Sequence, residues 1–318
     1  MPDRPSPSTS AVPSDGGPEP GGPVLHEPVE PAEQLEPAEP PELPAPLAAL
    51  LTSAQVLLER RGRRADVVLA APERRNAQTP LTWRALAAAG EWLADRADVV
   101  VLRSQGPTFS AGLDRRAFTT AGIPGEFSLR ELAALDDAAL DARIAGFQEG
   151  FGVWADAPFV SVAAVQGQAV GAGFQLALAA DLRLAADDAR FCMREPALGL
   201  VPDLTGTRPL VAAVGYARAV EICVTARWVE AAEAERLGLV QSVVPAGALA
   251  AATDALVDAV LANVPQAVRA TRQVLRGADR RTPDGQRAVE RAAQVPLLRA
   301  LAREAAGREA AAGEAAGR

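Results

Sequence analysis

The sequence predicts an α/β body with an α-helical C-terminal region, preceded by a disordered acidic tail. Three observations carry this. Apolar runs of strand length alternate with helix-spaced stretches up to residue 245. From Gly247 onward the apolar residues fall at helical spacing. Proline and charge crowd one end: residues 1–46 hold 14 of the 26 prolines, and nine acids against one base, Arg4. That imbalance equals the whole net charge of −8, so the rest of the chain, with 31 acids and 31 bases, is formally neutral.

The tail, residues 1–46, has too few apolar residues to offset the entropy of ordering, and its prolines remove backbone donors. It lacks the basic start and apolar run of a signal peptide. A core domain is expected over 52–245, a helical region over 246–304 and a low-complexity tail over 305–318. The core opens with two strand-like runs, Ala54–Glu59 and Ala65–Ala70, joined by Arg60–Arg64 as a hairpin. Thr79 is a natural N-cap for a helix starting at Pro80, with Leu81, Ala85, Leu86, Ala89 and Leu93 near helical spacing. Val99–Leu102 reads as a buried strand, followed by a loop to Asp114.

Ala157–Ala180 carries no charge and imitates a membrane span. Pro158, Ser161, Gln166, Gln168, Gln175 and several glycines suit it poorly to lipid. It reads as a buried strand (Phe159–Val165), a Gly-rich turn and a buried helix. Leu182–Ala186 and Val240–Val244 read as strands, with helices near Gly206–Thr225 and Ala231–Leu237 between them. Helices are then expected around Leu249–Val260, Ala267–Leu275 and Arg287–Leu301, and residues 302–318 are low in complexity.

Composition excludes several chemistries. All 32 basic residues are arginine, which removes Schiff-base and Walker lysines. The single histidine, His26, lies in the tail, so His-based triads and His-ligated zinc are not expected. Cys192 and Cys223 have no metal or redox spacing and read as reduced core residues of a cytoplasmic protein. A neutral body argues against nucleic-acid binding. The chemistry is left to carboxylates, amides, hydroxyls and backbone groups.

Two Gly-rich loops each follow a strand and precede a helix: Phe109-Ser-Ala-Gly-Leu-Asp114 and Gly167-Gln-Ala-Val-Gly-Ala-Gly-Phe-Gln175. Such loops expose backbone N–H groups, and two of these aimed at one carbonyl oxygen make an oxyanion hole. Alternatively the glycines serve only turns and close packing. Neither loop fits a dinucleotide fingerprint.

With Pro72-Glu-Arg-Arg-Asn-Ala77, Glu195–Pro202, Gly206–Leu210 and Ala231–Val240 in the same order, the chain resembles the crotonase (enoyl-CoA hydratase/isomerase) superfamily over residues 52 to 275. The resemblance implies a spiral of ββα turns, a helical C-terminal region and a homotrimer or hexamer. It also implies a coenzyme A thioester as substrate, with no further cofactor and no metal. By position, the oxyanion-hole donors are the N–H groups of Leu113 and Ala172. Arg75, Asn76, Ala77, Ala111, Asp114 and Arg115 fall where the coenzyme binds, with Arg115 or Arg116 toward its phosphates. Asp114 is also a natural cap for the turn after the first loop.

Departures from the pattern bear on the reaction. Hydratases of the family use two glutamates; the first position is Gln175 and the second Glu195. Gln can orient water or substrate but cannot exchange protons near neutral pH. Asp203 stands where many hydratases have glycine, a placement similar to that in dienoyl-CoA isomerases. The pattern favours double-bond isomerisation, with Glu195 and Asp203 as acid/base groups, over efficient hydration. The alternatives are a weak hydratase or an acyl-CoA-binding protein impaired in catalysis. A further expectation is that the acidic tail docks a protein partner. Phe118, Phe127, Phe147, Phe151 and Trp154 are candidates for the acyl pocket and equally for core.

Overall fold

The computed structural model describes residues 41–316, with side chains described to residue 307. Most of the expected tail lies outside the described residues. Its last two positions begin helix α1 (Ala45–Ser53), so the ordered body starts earlier than expected. The reason is local: Pro46 sits in the first turn, where its missing N–H costs nothing, and Leu47 and Leu51 are buried in the core.

The expected hairpin is β1 (Val56–Arg61) and β2 (Arg64–Leu69), in register from Val56 opposite Leu69 to Arg61 opposite Arg64. Helix α2 (Pro80–Leu93) starts at the expected cap, where Thr79 accepts from Thr82 N in a capping box. Strand β3 (Val99–Ser104) then runs parallel to β2, and short α3 (Leu129–Leu132) and long α4 (Asp137–Asp156) follow. The uncharged segment forms β4 (Val160–Val165), β5 (Gln168–Val170) and α5 (Ala172–Ala179). The expected turn therefore contains a three-residue strand, too short to show a period-2 pattern. Next come β6 (Leu182–Ala186), β7 (Arg190–Cys192), α6 (Thr207–Val214), α7 (Tyr216–Thr225), β8 (Val229–Glu230), α8 (Ala231–Arg236) and β9 (Ser242–Val244). Three helices close the chain: α9 (Leu249–Leu261), α10 (Pro265–Leu275) and α11 (Pro283–Ala316). The low-complexity end extends α11 to Ala316, in keeping with the helix propensity of Ala and Glu.

Two sheets result. The larger has the order β1-β2-β3-β4-β6-β9 and is parallel except for the hairpin. Its middle strands β2 and β4 are buried at every position, as expected of a parallel sheet covered on both faces. One face packs on α2, α4 and α5, where Trp83 meets Phe147 and Phe151 edge-on at 5.0 and 5.9 Å. The other face, through Val101, Val162 and Leu184, packs on Leu249 and Val257 of α9. The smaller sheet, β5-β7-β8, lies beside the functional loops. No single helix among the described residues is long and apolar enough to cross a membrane.

Arg272 of α10 fastens the helical region to the core. It donates to the carbonyls of Trp154 (3.1 Å), Ala155 (3.0 Å) and Ala157 (2.5 Å), at the end of α4, and pairs with Asp181 at 2.7 Å. Terminal helix carbonyls lack intrahelical partners, and a cation there also meets the negative end of the helix dipole. Arg272→Met takes the guanidinium from these carbonyls and from Asp181, which keeps only its bonds from Ser161. It is expected to lower stability by about 3 kcal/mol, read as a drop in the denaturation midpoint at unchanged slope.

Candidate functional site

The site begins where the two Gly-rich loops touch. Ser110 N donates to Gln168 O (2.9 Å) and Val170 N to Ser110 O (3.0 Å), an isolated parallel bridge that lays the first loop along β5. A second bridge ties the first loop to the chain before α2: Gln78 N donates to Gly112 O (2.7 Å) and Asp114 N to Gln78 O (2.8 Å). Between these bonds, Leu113 N–H has no acceptor among the described residues. Ala172 N–H opens α5 and has no intrahelical acceptor.

Gly112 brings the loops close. Its φ is +81°, and a Cβ there would lie 2.4 Å from Val170 O and 3.4 Å from Ala172 N. No other residue allows both the backbone angle and the approach. Gly171, at φ +51°, turns β5 into α5 beside Glu195: a Cβ on it would sit 3.2 Å from Glu195 Oε1.

Glu195 starts a 3-10 turn after β7 and is 9% exposed. Gln175 Nε2 donates to its Oε1 at 2.7 Å. Its Oε2 is buried with no hydrogen-bond partner among the described residues. Gln175 is fully buried, and its Oε1 accepts from Leu204 N (2.9 Å) and Gly206 N (3.3 Å). Those two donors fix the amide's orientation: the oxygen must face them, so the NH₂ faces the carboxylate. Gln175 therefore holds Glu195 through one N–H of its amide.

Burial raises the Glu195 carboxyl above its usual range, against the lowering effect of the Gln175 hydrogen bond, and the charge of Asp203 adds to the rise. Burial also raises Asp203, half-buried in the loop before α6. Glu195 makes no surface ion pair and Asp203 caps no helix among the described residues. Gln175 is thus bonded to Glu195, whose carboxyl also feels the charge of Asp203.

The residues expected at the coenzyme divide. Asn76, 2% exposed, uses its amide inside the fold: Oδ1 accepts from Ala71 N, and Nδ2 donates to the carbonyls of Gln105 and Thr108. Its carbonyl accepts from Ser110 Oγ at 2.7 Å. Asn76 therefore shapes the first loop and leaves no side-chain group for a ligand. Ala77 and Ala111 flank that turn, with Ala111 N donating to Arg75 O. Asp114 caps the turn after the loop and pairs with Arg116 (2.7 Å) and Arg74 (3.3 Å), which hold its carboxyl below the usual range. Its carboxylate is thereby committed to the fold, and so is Arg116. Arg75 and Arg115 are exposed, without an ion pair among the described residues.

Of the acyl-pocket candidates, Phe147, Phe151 and Trp154 belong to the main core. Phe127 joins Ala117 and Ile123 in a small cluster beside the first loop, and Phe118 is 42% exposed. Sequence reasoning missed Gln148, whose Nε2 donates to Asp203 O at 2.7 Å. The partners are 55 residues apart, and no local pattern signals them.

Two free backbone donors beside a dry carboxylate suit a substrate with a polarisable carbonyl and a removable proton next to it. The chain belongs to the enoyl-CoA hydratase/isomerase family, the crotonase superfamily, whose family model matches residues 62–309. The enoyl-CoA hydratase EchA19 of Mycobacterium tuberculosis is 30% identical over 232 residues, covering 72% of this chain and 83% of its own. A Thermobifida fusca YX protein solved in complex with CoA is 46% identical, covers 83% of this chain and 99% of its own, and superposes with a TM-score of 0.76. In complex with acetoacetyl-CoA, the corresponding values are 48%, 80%, 99% and 0.77. The expected fold, a crotonase-like spiral with a helical C-terminal region, is the one observed.

Because the folded Glu195 pKa is raised, folding favours its protonated form. That stabilising contribution is complete below the unfolded pKa and is lost as pH rises through the folded value. Glu195→Gln should therefore raise Tm at neutral pH, with the gain disappearing in acid. The same variant should lose about a hundredfold or more in turnover of an enoyl-CoA, measured by steady-state kinetics.

Proposed function

We propose that this chain binds an acyl-CoA and moves a carbon–carbon double bond along the acyl chain. The thioester oxygen lies against Leu113 N–H and Ala172 N–H, which act as the oxyanion hole. Glu195 Oε2 removes a proton from the α carbon of a 3-enoyl-CoA. The electron pair moves into the bond to the thioester carbon and the carbonyl pair onto oxygen, giving a dienolate conjugated with the double bond, whose oxygen the two N–H groups stabilise. Proton return at the γ carbon from Glu195 gives the 2-enoyl-CoA and restores the carboxylate; where protonated Asp203 delivers it instead, the proton held by Glu195 passes to Asp203 through solvent before the next turnover. Arg75 and Arg115 remain available for the coenzyme phosphates.

The observation that carries this reading is the Gln175–Glu195 bond. Hydration needs one group to activate water and another to protonate carbon, whereas isomerisation moves a single proton. With Gln175 committed to Glu195 and to the loop before α6, it exchanges no proton. The name of EchA19 favours a second reading, hydration, with Asp203 serving as the second acid. The soluble cytoplasmic setting, the homotrimeric or hexameric assembly, the absence of any cofactor besides the CoA substrate, and the tail as a partner's docking segment complete the proposal.

Incubation with 3-enoyl-CoA and 2-enoyl-CoA, followed by product analysis, tests it. Isomer formation should exceed hydration, and no turnover of either by folded protein would overturn it. Gln175→Glu keeps an acceptor for Leu204 and Gly206 and adds a second carboxylate. It should raise hydration relative to isomerisation by about tenfold or more.

A further inference from the structure

The carboxylate of Asp203 is useful only if its loop stays in place. Among the described residues, no backbone hydrogen bond from another element holds Pro202–Thr205. Thr205 adopts φ +66°, the left-handed region, which a β-branched residue occupies only when its surroundings enforce it. The surroundings here are two buried or half-buried amides. Gln175 accepts from Leu204 N and Gly206 N on one side. Gln148 donates to Asp203 O on the other. Gly206 lies so close that a Cβ on it would be 2.6 Å from Gln175 Cγ.

We infer that Gln148 is a positioning residue for the acid/base reaction, acting through the main chain of Asp203 to hold its carboxylate opposite Glu195. The inference rests on the acid/base reading of Asp203 given above. Gln148 suits the task because its own base is rigid. It follows Phe147 and precedes Phe151 on α4, and both rings are locked against Trp83. Its amide direction is unambiguous, because a carbonyl only accepts. The bond therefore links the packed core to the Asp203 side of a loop that Gln175 and the buried Leu204 hold from the other side. It makes no hydrogen bond to Leu113 or Ala172 among the described residues, so the expected effect falls on the acid/base step rather than on thioester binding.

The test compares Gln148→Met and Gln148→Leu, each alone and combined with Asp203→Asn, using a 3-enoyl-CoA. Each single variant should lose about tenfold in kcat, the worth of one hydrogen bond to the transition state, with KM changed less than about twofold. The limb of the pH–rate profile that Asp203 controls should shift, and Tm should change little. In the Asp203→Asn background the Gln148 changes should cost nothing more. Full kcat in both Gln148 variants, beside an impaired Asp203→Asn, overturns the positioning role alone. Losses that multiply in the double variants, or a rise in KM with an unmoved pH profile, also overturn it. Full activity in Asp203→Asn overturns the acid/base reading and the inference with it. If one Gln148 variant fails to fold, the other decides.

Discussion

The bridge between Ser110 and Ala169 is the contact on which the site depends. It joins two loops more than fifty residues apart, and among the described residues the N–H groups of Leu113 and Ala172 find no acceptor in the fold. Folded proteins pair almost all such groups, so leaving two free is costly unless the fold compensates around them. Compensation comes from Asn76, Gln78 and Ser110, whose side chains saturate the neighbouring carbonyls and amides. Gly112 then allows a main-chain approach that any side chain would block. Asn76, expected near the coenzyme, is part of the frame of the first loop.

A second layer of the same design surrounds Glu195. A carboxylate taken out of water is stabilised either by partners or by a proton. Here one oxygen has the Gln175 amide and the other has nothing, and the carboxyl's affinity for a proton rises accordingly. A glutamate at position 175 would add a like charge; glutamine supplies a donor to Glu195 and an acceptor to the backbone at once. One amide thus couples Glu195 to the loop bearing Asp203, and Gln148 bonds that loop at Asp203 O.

Farther out, arginines do what lysines share in other proteins. Asp98 receives Arg63 and Arg269, and Asp66 receives Arg64 and Arg103. Of these, Arg269 on α10, together with Arg64 bonded to Asp254 of α9 and Arg272 at the end of α4, pins the C-terminal helices to the core that carries the site. The planar guanidinium can serve several carbonyls and carboxylates at fixed angles, which a lysine cannot do in the same geometry.

Periodicity and punctuation alone marked the hairpin, the Thr79 cap, the strand of Val99 and the C-terminal helices, because these depend on neighbours in the chain. The order of the two glycine loops, Gln175, Glu195 and Asp203 was equally legible, since backbone donors and carboxylates sit at fixed places in those segments. The short strands β5, β7 and β8 were not legible, because two or three residues carry no period and owe their form to pairing across the chain. Nor were the tasks of Asn76 and Gln148, whereas the cap at Asp114 was expected and is observed. Amides and carboxylates serve a ligand or the fold with the same atoms, and only the partners that folding supplies decide which. What the sequence determined by itself was the chemistry available: acids, amides and main-chain N–H groups, without lysine or a histidine in the body. The tertiary structure decided which of those groups remain unpaired, because being unpaired is a relation to every other segment of the chain.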